Sequence, residues 1–177
     1  YARTFGKHEV TALGLFSRLK EARGSMFPIY REDWVFRLTY NYAMRYFFEA
    51  NGAYNGSEKF GPDYRFAFFP SLSIGWMISE ENFMKGASKW LSMLKLRASY
   101  GQTGNSNVGY RIYDYYEVGR NAIIGGAEST GVYASDLGNK SITWETTTEF
   151  NLGVDFGIFN NRFKLAAEYF KRKITDL

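Results

Sequence analysis

Apolar and polar residues alternate with a period of two along most of the chain, the spacing of a strand whose two faces meet different surroundings. Trp34, Phe36, Leu38, Tyr40 and Tyr42 share one side of WVFRLTYNY, against Val35, Arg37, Thr39 and Asn41 on the other. After a turn at Ala43 to Arg45, YFFEANGAY repeats the pattern with Tyr46, Phe48, Ala50, Gly52 and Tyr54, which predicts an antiparallel hairpin. Further strands are expected at SLSIGWMI after Pro70, at LKLRASY from Leu94, at TEFNLGVDFGI from Thr148 and at FKLAAEY from Phe163. HEVTALGLFS from His8 alternates less cleanly. Together these make about seven strands of an all-β, antiparallel, up-and-down sheet.

The connections sort by length. Those at Leu19 to Asp33, Gly56 to about Phe69 and Gln102 to Thr143 are long and fall at one end of the sheet. Those at Ala43 to Arg45 and Phe159 to Arg162 are tight and fall at the other, the asymmetry of outer-membrane barrels. One connection on the tight side is longer. In SEENFMKGASKWLSM, Ser79 is placed as an N-cap and Phe83, Ala87, Trp90 and Leu91 recur at helical spacing, so a short amphipathic helix over the rim is expected. Pro70 is expected at a strand start or bulge, since it has no N–H for a ladder.

No charge falls on the apolar side of the clear strands. Their opposite side carries Arg37, Glu49, Lys95, Arg97, Glu149, Asp155, Lys164 and Glu168. A soluble sandwich would give the same contrast, with the apolar side as its core. Residue type along the apolar side discriminates better. With the long loops upward, Trp34, Tyr54, Tyr100 and Tyr169 fall near the upper strand ends, Tyr42, Tyr46 and Trp76 near the lower ends, and aliphatic residues and Phe between them. Two belts of amphipathic rings around an oily middle match two membrane interfaces and a hydrocarbon band. Membrane lipid is therefore the expected partner of the apolar side, and a segment of a transmembrane β-barrel the expected fold. The alternative is a soluble all-β carbohydrate-binding module.

Composition narrows the chemistry. Of 177 residues, 19% are aromatic and none is Cys, which removes disulfides, thiolate metal sites and Cys nucleophiles. The net charge of +4 comes from intermixed basic and acidic residues without basic runs, so no nucleic acid is expected as a partner. His8 is the single His, leaving no zinc cluster and one candidate base for a triad. The Gly-rich GQTGN and GNSNVG lack the strand and helix context of a phosphate cradle. No enzyme activity, metal or cofactor is expected. Glu149 and Asp155 lie about 20 Å apart along one strand, too far for a paired-acid site, and Lys164 is the expected partner across the hairpin. In the longest loop, Tyr110, Tyr113, Tyr115 and Tyr116 offer faces for a sugar or a partner protein, although aromatic packing of the loop itself explains them as well.

FFEANGAYNGSEKFGPDYRFAFFPSLSIGWMISEENF, then LKLRASYGQTGN, then WETTTEFNLGVDFGIFNNR occur in an order that resembles successive stretches of the SusC/RagA family of TonB-linked outer-membrane proteins. Asn55, Glu58 and Ala67 depart from the residues more usual at those places. The resemblance implies a plugged barrel of about 22 strands, of which this chain supplies part of the later wall. The plug and the remaining strands then lie outside residues 1–177, in keeping with a chain that opens at Tyr1 without Met and closes inside a strand pattern. It further implies import of oligosaccharides or peptides across the Gram-negative outer membrane, a SusD-like surface lipoprotein as cap, and energy from TonB through the plug. The charged side would then line the lumen.

Overall fold

The structure, a computed structural model, describes residues 1–24 and 27–176. Its strands are β1 (Ala2–Phe5), β2 (His8–Glu21), β3 (Ile29–Tyr42), β4 (Tyr46–Ser57), β5 (Phe66–Met77), β6 (Leu91–Asn105), β7 (Tyr115–Ile124), β8 (Ala127–Asp136), β9 (Glu145–Ile158) and β10 (Phe163–Thr175). Eight of them form one sheet in the order β1-β2-β3-β4-β5-β6-β9-β10, and β7 pairs only with β8. All pairings are antiparallel between chain neighbours, except that β6 reaches across the β7–β8 hairpin to β9.

Register places the alternating sides as the sequence requires. Trp34 faces Tyr54, Leu38 faces Ala50, and Tyr42 faces Tyr46, so apolar residues line up across strands while Arg37 faces Asn51 and Thr39 faces Glu49 on the other side. No second sheet covers the apolar side among the described residues, and Trp34, Phe36, Leu38, Leu72, Ile74, Leu152 and Leu165 all stand exposed. The chain presents 12787 Å² to solvent. A compact protein of this mass would present about 8,800 Å². The soluble-module alternative is overturned here: a sandwich would have buried this side, and its exposure contributes to the excess area.

The upper belt also reports strand tilt. Trp34, Tyr54 and Phe68 lie in one register row across β3, β4 and β5. On β6 the belt residue is Tyr100, whose partner Leu72 lies lower on β5 than Phe68. Phe150 of β9 pairs with Tyr100, and Tyr169 of β10 pairs with Leu152, lower again. The belt thus drifts by about six residues over five strand steps, about 20 Å along the strands for about 24 Å across them. That corresponds to strands inclined about 40° from the normal to the belt, the tilt of strands from the axis of a closed membrane barrel.

Several elements differ from expectation. β1 is an additional short strand, joined to β2 by Gly6 and Lys7. β2 and β3 run to Glu21 and from Ile29, so the loop between them is shorter than predicted. The longest loop holds the β7–β8 hairpin, turned at Gly125 and Gly126 with φ of +64° and +84°. Those angles suit a two-residue hairpin turn and favour Gly. Pro70 lies within β5 opposite Gly52, against the expectation of a start or bulge. Pairing of β5 with β6 begins only at Ser71, so the missing N–H falls where the strand's second edge opens.

The rim helix is likewise corrected. In its place are two short 3₁₀ turns, Ile78–Glu80 and Asn82–Ala87, and Ser79 caps neither. Between them Glu81 is extended (φ −76°, ψ 149°) because its carboxylate is taken by the sheet: Tyr46 donates its hydroxyl at 2.5 Å, Trp76 its indole N–H at 3.1 Å and Arg45 lies at 3.5 Å. Leu91 is buried, but as the first residue of β6.

Candidate functional site

Opposite the apolar side, parity gathers charge onto one surface of the sheet. Arg97 on β6 reaches Asp155 of β9 at 3.4 Å and Glu168 of β10 at 3.1 Å, bridging three adjacent strands. Gly153, its register partner, leaves room for it, since a Cβ there would sit 2.7 Å from the guanidinium carbon. Arg37 pairs with Glu49 at 2.9 Å. Lys95, although opposite Asp155 in register, lies over the Phe47 ring with Nζ 4.6 Å from its centroid. Of these residues Glu49, Lys95, Arg97 and Phe47 border a shallow depression of about 440 Å³, also lined by Thr39, Ser73 and Asn151.

Higher on the same surface Glu149 is held by Arg172, its register partner, at 2.6 Å, and accepts a hydrogen bond from Asn151 at 2.9 Å. The expected partner Lys164 is thereby corrected. It sits opposite Gly157, beyond Ala166, which faces Asp155, so the two acidic groups are answered by Arg172 and Arg97. All eight inward-facing candidates do share one surface of the sheet. Arg172 was missed because the predicted strand stopped at Tyr169; its period of two, carried three residues further, points Arg172 inward.

Above this surface the loops fold over. Phe60 from the β4–β5 loop is fully enclosed, stacked on Trp144 at 4.8 Å, with Phe69 edge-on to Trp144 at 5.5 Å. Ala53, Ala67, Val108 and Ile142 complete this cluster, and Trp144 donates its indole N–H to the Tyr64 carbonyl at 3.1 Å. Gly104 is obligatory there, because a Cβ would fall 1.9 Å from the Phe69 ring. The foot of the longest loop is therefore pinned to the β4–β5 loop.

The loop tyrosines divide. Tyr113 stacks on Phe27 at 4.7 Å, Tyr110 tilts against the same ring at 5.4 Å and donates to Glu58 at 2.9 Å, and Tyr115 donates to the Tyr110 carbonyl at 3.2 Å. Burial, followed by the hydrogen bond to Glu58, raises the Tyr110 hydroxyl above its usual range. These three hold neighbouring loops together. Tyr116 stands free on β7, beside the exposed Val118 and Val132. Among the described residues no cluster of His, Cys, Asp or Glu fit to hold a metal occurs.

An exposed apolar side, tilted strands and a charged inner surface describe a wall, and residues 16–177 match the family model of the TonB-dependent receptor-like β-barrel. The chain belongs to that family. It is similar to the TonB-dependent receptor SusC of Bacteroides thetaiotaomicron, 37% identical over 146 residues, and to TonB-dependent receptor P3 of Formosa agariphila, 36% identical over 142 residues. Each alignment covers 80% of this chain and 14% of the relative, so the chain spans about a seventh of those receptors. In fold it superposes on the RagAB peptide importer in the closed-closed state with a TM-score of 0.82 at 24% identity, covering 100% of this chain and 23% of that one. The family assignment of the sequence motifs and the barrel fold are thus both established.

Proposed function

We propose that this chain is a wall segment of an outer-membrane transporter that imports oligosaccharides or peptides, working with a SusD-like surface lipoprotein and driven by TonB through a plug encoded outside residues 1–177. The observation that carries this reading is a sheet finished on one side only. Its uncovered apolar side, belted by Tyr and Trp, needs lipid. Its other side, with Arg97 between Asp155 and Glu168, needs an aqueous or polar filling. Similarity to SusC and the shared fold with a peptide importer support import as the activity, and no catalytic step belongs to it.

The test uses the full-length protein in its native host. It should fractionate with the outer membrane and migrate faster on gels when unheated, and its deletion should abolish uptake of one labelled oligosaccharide or peptide pool, as should loss of TonB. Recovery in the soluble fraction, or uptake of both pools unchanged on deletion, overturns the proposal.

A further inference from the structure

From β2 to β10, the outward positions between the two aromatic belts carry no Asp, Glu, Lys or Arg. Beyond the upper belt, charge returns with one dominant sign and the same offset on two strands. On β10, Tyr169 is followed on the same side by Lys171 and Lys173, which face the outward residues Phe150 and Thr148 of β9. On β2, Phe16, tilted against Trp34 with ring centroids 4.4 Å apart, is followed by Arg18 and Lys20. Among the described strand residues of this zone one outward carboxylate stands, Glu32, while Glu58, just past the end of β4, is taken by the Tyr110 hydroxyl. Glu32 accepts hydrogen bonds from Tyr30 and, at 2.9 Å, from the Trp34 indole, and lies 4.0 Å from Arg18. Neither Lys171 nor Lys173 faces an acidic residue across the β9–β10 ladder.

Height identifies what these cations meet. At about 3.3 Å per residue and a tilt of about 40°, Lys171 rises about 5 Å and Lys173 about 10 Å above the belt tyrosine. The polar layer of one leaflet is about 5 to 8 Å thick, and a lysine stem can bend back toward it. We infer that the outward basic pairs Lys171/Lys173 and Arg18/Lys20 form a binding surface for the phosphate groups of outer-leaflet lipid headgroups. Phosphate is the chemistry that answers closely spaced cations at the edge of a hydrocarbon band. The inference rests on the membrane reading of the sheet and goes beyond transport.

The test uses full-length protein purified from outer membranes in neutral detergent. Bound lipid is counted by native mass spectrometry after titration with lipid A, with phosphatidylcholine, and with inorganic phosphate. The unaltered protein should retain lipid A in preference to phosphatidylcholine, and the double variant Lys171→Glu/Lys173→Glu should weaken lipid A retention by about tenfold. Lys171→Gln/Lys173→Gln, which removes charge without repulsion, should give an intermediate loss, and serves alone if the Glu variant fails to insert. Equal lipid A retention by variants that insert normally overturns the inference, as does displacement of lipid A by inorganic phosphate alone. Absence of the unaltered protein from the outer membrane instead overturns the membrane reading itself, so the two failures are distinct.

Discussion

Phe60 and Trp144 above the sheet are as enclosed as core residues of a soluble protein, at 0% and 5% exposure, while Leu72 and Ile74, just along β5 from the buried Phe69, stand 51% and 59% exposed. The same residue chemistry serves two solvents. In the loop cluster apolar rings exclude water by packing on one another, and stability is internal to the chain. In the sheet they await a medium outside it, and internal order comes chiefly from the ladder and the polar contacts on the opposite side. A strand can cross from one regime to the other within a turn of its length, because period-two alternation places Phe69 inward under the loops and Leu72 outward toward lipid.

The sharpest way to break this contrast is to hollow the cluster. Trp144→Ala in the full-length protein should cost about 3 to 5 kcal/mol, measured by urea unfolding from lipid vesicles, and should make the foot of the longest loop susceptible to protease. A result under half of this would mean the loops are held elsewhere. Next, charge on the lipid side should be far worse than on the lumen side. Leu72→Arg, midway along β5 between Phe68 and Trp76 of the two belts, should cost about 2 to 4 kcal/mol in the same assay, whereas Ser73→Arg, its neighbour on the opposite side, should change stability little. Equal costs would erase the distinction between the two sides.

Third, Arg97→Gln removes two ion pairs on a surface open to water, so its cost should stay within about 1 kcal/mol, and uptake should be more affected than stability. The smallest effect is expected at the lower rim. The Tyr46 hydroxyl and then the Trp76 indole hold the Glu81 carboxyl below its usual range. Its contribution is therefore complete above the ordinary carboxylate range and is lost as pH falls through the lowered value. Melting curves of the unaltered protein and of Glu81→Gln should differ at neutral pH and converge under strongly acidic conditions. Parallel curves at every pH would detach Glu81 from rim stability.

Much of the wall was legible because alternation is a direct record of two-sided surroundings. The β3–β4 hairpin, the turn at Phe159 to Arg162 and the shared side of the set from Arg37 to Glu168 follow from period two alone. What escaped has physical reasons. β7 and β8 are exposed on both sides, so no burial writes an alternating pattern, and the only available signal was Gly125-Gly126 between β-branched and small residues. The rim's helical spacing was genuine as a pattern, but propensity lost to the hydrogen bonds that draw Glu81 onto Tyr46 and Trp76. The Phe60 and Trp144 cluster joins residues more than eighty positions apart, a distance that periodicity cannot bridge.

The sheet's strands are longer than a crossing needs. β3 and β9 have 14 residues and β6 has 15, where about 9 to 11 suffice. Most connections at the lower end are tight, so the surplus projects upward as a collar reaching about 10 Å beyond the hydrocarbon band. A molecule approaching from the loop side would meet this parapet and its pinned loops before it met the hydrocarbon layer.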